Sequence, residues 1–245
     1  MARVPARSGS LTSVASHSEL MRLHIEALFV HDAEQCMVRV NEPNGALAPR
    51  FFLGRTSDGI ITRVRYDIGQ SVREELEAAS KEDALGTEEP DSPIDPTRYE
   101  EILARSAPVE NVSTGPAFCF PRELPPSVGV MLITDRNAHV LEALLAPWFP
   151  DVAASYPLFA LTVDGNAVSV CGSVRRTLEA DEAGVETVPA YRGHGYAALV
   201  VAAWARAVRD LEREPLYSTS WQNETSRAVA RKLGLIQFGS DLHIA

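Results

Sequence analysis

Apolar residues along the chain recur at two periods, and the period changes where turn-forming residues stand. Apolar positions three and four apart predict a first helix over His17–Val30. Three short apolar runs of strand length follow, separated by turn residues: Met37–Val40, Phe51–Leu53 and Ile60–Tyr66. Runs at this spacing predict an antiparallel meander packed on the first helix.

From about residue 109 the pattern predicts strands and helices in alternation. The first elements are a strand, a second strand and a helix, at Val109–Phe120, Val128–Ile133 and Asn137–Trp148. A hairpin over 158–174 turns at Asp164-Gly165-Asn166, which is a strong turn signal. Strand, helix, strand, helix and strand then follow, at Glu182–Val188, Tyr196–Leu211, Leu216–Trp221, Glu224–Leu233 and Ile236–Ile244.

The negative charge is concentrated in one segment. The 245 residues carry a formal net charge of −10, and Asp67–Glu101 alone holds twelve acids against three bases. Its Gly86–Pro96 stretch predicts an exposed loop between two short helices. A solvated surface is the simpler interpretation of this segment, and steering of a cationic substrate is the alternative. Because phosphate affinity depends on clustered Lys and Arg, the excess of acids argues against general nucleic-acid binding.

Composition also indicates the cellular compartment in which the chain is expected. Three widely spaced cysteines form no metal-binding or disulfide pattern, and no run of 18 apolar residues predicts a membrane span. Residues 1–16 lack an apolar core, so they are expected to be a disordered leader rather than a secretory signal. The expected location is therefore the cytoplasm. Residues 17–110 are interpreted as an N-terminal α+β part of unknown role, and 111–245 as a second domain.

The strand predicted to end at Val188 runs into a glycine-rich turn that opens a strongly amphipathic helix. Gly193 and Gly195 allow successive N–H groups to face one point, and a helix N-terminus adds partial positive charge there. This arrangement suits a pyrophosphate, with Arg192 either contacting the anion or bracing the loop. A nucleotide-triphosphate loop would need GxxxxGK[ST], and no Lys follows either glycine. A dinucleotide fold would need more strands after the loop than the sequence offers.

Two sequence blocks resemble the GNAT superfamily of N-acyltransferases, which use acyl-coenzyme A. The first signature, [QR]-x-x-G-x-[GA], is met by Arg192, Gly195 and Ala197. The second block, N-x-x-S followed by K-L-G, is met about 30 residues later by Asn223, Ser226 and Lys232-Leu233-Gly234. The resemblance covers roughly residues 128–245. It implies a mixed α/β (α+β) fold, in which helices flank a central mixed sheet.

The resemblance also implies a site for acetyl-coenzyme A as co-substrate. The pantetheine arm would lie along backbone groups of Thr187 and Val188, and an N–H near Val188 would polarise the thioester carbonyl. The pyrophosphate would be held by the loop, formed by Arg192, Gly193, His194, Gly195, Tyr196 and Ala197, with His194 on the phosphate or solvent side. Asn223 would contact the cofactor near the thioester. Ser226 would either contact the cofactor or cap the following helix.

The implied reaction is direct attack on the thioester by a primary amine, either a small molecule or a peptide N-terminus. Such an amine must lose a proton, and Glu186 is the first candidate base because it lies two residues from the thioester platform. Glu179 and Glu182 are alternatives. Many family members carry a Tyr four residues after the Ser, where this chain has Ala230. This departure keeps a second function open, a coenzyme-A-binding sensor or interaction module without turnover.

A second departure concerns the last strands. The family usually has two strands after the helix that ends at Leu233-Gly234, whereas Ala245 follows only one. The missing strand is expected from the N-terminal part, from a partner chain or not at all, and a homodimer is a further expectation. Residues 17–110 could also be a degenerate copy of the same fold, although no second Arg-Gly-x-Gly loop occurs there.

Overall fold

A nine-stranded mixed sheet organises the part of the chain that the computed structural model describes, residues 15–84 and 91–245. The helices are α1 His17–Leu28, α2 Gln70–Ala84, α3 Thr97–Ala104, α4 Tyr196–Asp210 and α5 Glu224–Leu233. The first strands are β1 Phe29–His31, β2 Met37–Val40, β3 Phe51–Thr56, β4 Gly59–Val64 and β5 Val112–Cys119. The later strands are β6 Val130–Leu132, β7 Leu158–Val163, β8 Asn166–Arg176, β9 Ala180–Thr187, β10 Glu214–Ser218 and β11 Ile236–Ile244.

Two predicted segments lie wholly or partly outside the described residues. They are the leader at 1–16, of which Ala15 and Ser16 are described, and the acidic loop at Gly86–Pro96, which is described from Asp91 onward. The helices expected on either side of that loop are present as α2 and α3. Of the helices in the described ranges, none is both long and apolar enough to cross a bilayer.

The strand order of the sheet is β4-β3-β11-β5-β10-β9-β8-β7-β6. Neighbouring strands run antiparallel, except that β9 and β10 are parallel. The predicted meander is wrong for its first strand, because β2 pairs with β1 in a separate two-stranded ribbon, whereas β3 and β4 form the expected antiparallel pair. The chain leaves α1 directly in extended conformation at Phe29, which gives β2 a partner before β3 begins.

The position between β10 and β11 is filled by a strand from earlier in the chain. β5 lies between β10 and β11 and is antiparallel to both, so that Phe118 is opposite both Tyr217 and Gln237. On the other side of β11, β3 pairs over its whole length, from Phe51 opposite Ile244 to Thr56 opposite Gly239. Strands from before and after residue 110 therefore form one continuous sheet.

Both faces of the sheet are covered, because successive residues of a strand point to opposite sides. In β3, Phe51 packs with α2 and α3, where it stacks on Tyr99 at 5.0 Å between ring centroids, whereas Phe52 packs with α1. In β5, Ala117 faces α1 and Phe118 faces α4 and α5. Helix α4 contributes Trp204, which is fully buried.

Most of the remaining predicted elements are present, with one exception. The hairpin turn has positive φ at Asp164 and Gly165, as its tight two-residue geometry requires. The helix predicted over Asn137–Trp148 is wrong, because the segment instead forms two short 3₁₀ turns, Ala138–Leu141 and Ala146–Trp148. Pro147 cannot donate an α-helical hydrogen bond and disfavours helical backbone at the residue before it.

Candidate functional site

The parallel strands β9 and β10 separate shortly after they meet. They pair over Ala180–Glu182 and Glu214–Leu216, and within the described chain β9 then continues to Thr187 without β10 beside it. β10 ends at Ser218. A gap therefore opens in the sheet at the carboxyl ends of both strands, and backbone groups that would pair inside a sheet are left facing it.

The register of β9 decides which backbone groups face this gap. The amide of Val188 donates to the carbonyl of Val168 in the preceding hairpin, at 3.0 Å. Because antiparallel pairing alternates along a strand, Val185 and Thr187 direct their backbone groups the other way, towards the gap. The amide of Val188 is therefore already hydrogen-bonded within the protein. The backbone groups that face the gap belong to Val185 and Thr187, and not to the predicted pair, Thr187 and Val188.

The glycine-rich turn connects β9 to α4 as the sequence predicts. Arg192 donates from Nε to the carbonyl of Thr187 at 3.2 Å, so it braces the loop. Gly193 and Gly195 both adopt left-handed backbone, with φ of 82° and 80°. Gly195 occupies the N-cap position of α4, and no described side chain caps the first N–H groups of the helix. These N–H groups are therefore available to an anion.

A cavity of about 400 Å³ lies between this loop and α5. Six of the predicted cofactor-binding residues line it: Thr187, Arg192, Gly193, Gly195, Tyr196 and Ala197. His194, which was predicted beside them, is exposed and is not among the described lining residues. Its ring stacks on Tyr196 at 5.4 Å, and its Nδ1 lies 3.0 Å from the carbonyl of Arg192.

The sequence did not predict the remaining residues of the cavity wall, most of which lie on α5. The additional lining residues are Tyr191, Ala198, Thr225, Ala228, Val229 and Lys232. The four from α5 recur at intervals of three, one and three, so they form a single stripe of that helix. The sequence carried this helical period, but it held no signal that the stripe would face the glycine-rich turn.

Asn223 and Ser226 are engaged within the protein. The side chain of Asn223 caps α5 by accepting from the amide of Ser226 at 3.0 Å. The hydroxyl of Ser226 lies 2.6 Å from that of Tyr217, and neither Asn223 nor Ser226 is among the described residues that line the cavity. Asn223 thus provides the helix cap that was considered for Ser226. Contact of either side chain with a cofactor stays a prediction.

The position of the usual family tyrosine is filled by Ala230, which is buried. The buried Tyr217 belongs to the same hydrophobic cluster. Burial raises the pKa of Tyr217 to about 12, although the hydrogen bond with Ser226 opposes the shift. Its hydroxyl is therefore protonated at neutral pH.

The three acids considered as a base have different surroundings. Glu186 is exposed and accepts a hydrogen bond from the indole Nε1 of Trp148, at 2.8 Å. Glu179 lies at the far end of β9 and forms an ion pair with Arg22 at 2.6 Å. Glu182 is buried. Of the three, Glu186 is both exposed and next to the residues that face the gap.

Glu182 belongs to a buried charged triad with His24 of α1 and Asp241 of β11. One ring nitrogen of His24 bonds Glu182 and the other bonds Asp241, at 2.8 Å in the second case. Burial alone would lower the pKa of His24, but the attraction of Glu182 and the hydrogen bonds to both carboxylates outweigh it and raise this pKa to about 10. Burial would raise the pKa of Asp241, but His243 and His24 hold it well below its usual range.

One segment of the chain matches a known protein family. Residues 159–239, which extend from β7 into β11, match the model of the GNAT acetyltransferase family. This range contains the gap, the glycine-rich turn and both helices that border the cavity. No curated protein sequence matches the chain.

Solved structures of GNAT proteins resemble the chain in fold. An acetyltransferase of the GNAT family from Colwellia psychrerythraea has a TM-score of 0.50 and 12% identity, covering 94% of this chain and 97% of that chain. A GCN5-related N-acetyltransferase-like protein from Streptococcus suis 89/1591 has a TM-score of 0.48 and 15% identity, covering 94% and 100%.

A GNAT-family protein from Novosphingobium aromaticivorans DSM 12444 has a TM-score of 0.47 and 20% identity. That match covers 56% of this chain and 65% of the other, which is just under two thirds of the other chain's length. The comparison with the Colwellia psychrerythraea protein extends the likeness of fold to nearly the whole chain. Residues 159–239 of the chain therefore form a segment that matches the GNAT acetyltransferase family model.

Proposed function

We propose that this protein is an N-acetyltransferase that moves an acetyl group from acetyl-coenzyme A to a primary amine, either a small molecule or a peptide N-terminus. One observation carries the proposal. The matched family region contains a cavity of about 400 Å³ that is lined by the uncapped N-terminus of α4 and by Thr187, the last residue of β9 at the gap. A pyrophosphate would meet the helix N-terminus, and the extended arm with its thioester would meet the gap.

The phosphates would bind where the chain offers free N–H groups. The left-handed glycines leave the turn open, and the first turn of α4 adds its partial positive charge. The extended arm would then pair with the backbone of Val185 and Thr187, in the way a strand adds to a sheet edge. An N–H of this pair would stabilise negative charge that develops on the thioester oxygen.

The acetyl group is supplied as a thioester, and the chain must remove a proton from the incoming amine. Glu186 is the proposed base, since its side chain points to the face opposite Thr187 and therefore opposite the cavity. An amine approaching from that face would reach the gap without crossing the donor. The thiolate of a thiol with a pKa of about 8.5 is a tolerable leaving group, so the absence of a tyrosine at Ala230 need not prevent turnover.

Thiol release from acetyl-coenzyme A in the presence of an amine panel tests the proposal. Amine-dependent release that is lost in Glu186→Gln would support it. Tight coenzyme A binding with no release from any amine would instead favour the second candidate, a coenzyme-A-binding module without turnover. Ala230 and the buried hydroxyl of Tyr217 are the observations that keep this candidate open.

A further inference from the structure

Lys232 differs from the other basic residues of α5. Glu224, at the start of the helix, forms ion pairs with Arg227 at 2.6 Å and with Arg231 at 3.7 Å. No carboxylate in residues 15–84 or 91–245 lies within ion-pair distance of Lys232. Lys232 is exposed and lines the cavity together with Thr225 of the same stripe. It is therefore an unneutralised cation on the wall of the proposed donor site.

The ammonium of Lys232 lies directly over the glycine-rich turn. A Cβ added at Gly195 would overlap Nζ of Lys232, whereas a Cβ at Gly193 would meet no atom within 4 Å. Gly195 is the N-cap of α4, so the ammonium stands next to the positive end of that helix. Two like charges in contact repel each other, and an anion between them would turn this repulsion into attraction.

Arg192 is less able than Lys232 to move towards a bound anion. Its Nε is committed to the carbonyl of Thr187, which fixes the guanidinium to the end of β9. Lys232 has no such tie among the described residues, and its flexible side chain can follow a ligand. The cation best placed to close on a phosphate group from the α5 side is therefore Lys232.

We propose that Lys232 binds the diphosphate of the acyl donor, closing the site opposite the N-terminus of α4. The inference rests on the proposed function, because the donor is the ligand. It gives Gly195 a second role, since any side chain there would displace the lysine as well as strain the backbone. Gly193 has nearly the same φ but open surroundings, so a side chain there would strain the backbone without displacing the lysine.

Calorimetric titration of the full chain with coenzyme A and with dephospho-coenzyme A tests this assignment. The second ligand lacks the 3′-phosphate but keeps the diphosphate. Lys232→Met should weaken both ligands equally, by about 10- to 100-fold, which is the range for a charge-assisted hydrogen bond. Arg231→Met is the matched control, and it should bind both ligands as the unmodified chain does. The loss should shrink as salt is added.

Substitutions at the two glycines provide a second, independent test. Gly195→Ala should weaken coenzyme A binding more than Gly193→Ala, and combining each with Lys232→Met should remove the difference. Binding by Lys232→Met within about twofold of the unmodified chain would overturn the assignment while leaving the proposed function intact. A loss confined to coenzyme A would move Lys232 to the 3′-phosphate and overturn it as well. Absence of coenzyme A binding by the unmodified chain would overturn both proposals.

Discussion

The indole Nε1 of Trp148 donates to Oε2 of Glu186 over 2.8 Å, and this contact joins the segment after β6 to the end of β9. If Glu186 is the base, Glu186→Gln should lower the rate of acetyl transfer by at least about tenfold, because an amide does not accept the proton. Trp148→Phe should cause a smaller loss, since it keeps the ring but removes the donor. Initial rates of amine-dependent thiol release measure both effects.

Glu142→Gln is the control for these two variants. Glu142 is an exposed acid in the same segment as Trp148 and is not among the described residues that line the cavity, so the substitution should leave the rate unchanged. Equal rates for Glu186→Gln and the unmodified chain would show that the proton leaves by another route.

The buried triad predicts how stability depends on pH. His24 has a raised pKa of about 10, so its contribution is complete below the unfolded value of about 6.5 and is lost as the pH rises towards 10. The lowered pKa of Asp241 acts in the opposite direction, because its contribution is complete above about 3.8 and is lost below it. The free energy of unfolding should therefore fall by up to about 1.4 kcal/mol per pH unit above 6.5.

Urea unfolding between about pH 5 and 9 measures this slope. His24→Leu leaves two buried carboxylates without their cation, so it should cost about 3–5 kcal/mol and remove most of the slope. His139→Leu, at an exposed position, should keep both the stability and the slope. A His24→Leu protein with the slope of the unmodified chain would mean that other groups cause the pH dependence.

The placement of β5 predicts that the segment resembling the family will not fold alone. A fragment of residues 128–245 would expose the edges of β10 and β11 that β5 covers, and it would lose the packing of α1. Circular dichroism should show no cooperative thermal transition for this fragment. The full chain, in which β5 is present, should unfold in one cooperative transition. Cooperative unfolding of the fragment would contradict the structural role given to β5.

Local signals account for the elements that the sequence predicted closely. α5 and β11 have the predicted bounds, since Asn223 caps the helix and Gly234 ends it in left-handed backbone with φ of 63°. The glycine-rich turn was found in the same way, because its residues are adjacent in sequence. Such features depend on residues that are close in sequence, and these are the residues that periodicity and turn chemistry describe.

Contacts between distant segments were beyond the same reasoning. Nothing in the period of Val112–Cys119 indicates that this strand enters the sheet between β10 and β11. The hydrogen bond from Val188 to Val168 depends on the register of two strands, and it leaves Val185 and Thr187, rather than Thr187 and Val188, facing the gap. Lys232 was visible as part of a K-L-G motif, but its place over Gly195 follows only from the packing of α5.

The affinity of coenzyme A for the unmodified chain and for Gly195→Glu tests the central claim most directly. A carboxylate at the N-cap of α4 would face the diphosphate and displace Lys232, so binding should weaken by several kcal/mol, or about 100-fold or more. Calorimetry is expected to give saturable binding to the unmodified chain and little or none to the variant. Equal affinity of both proteins would show that the diphosphate does not bind at the glycine-rich turn.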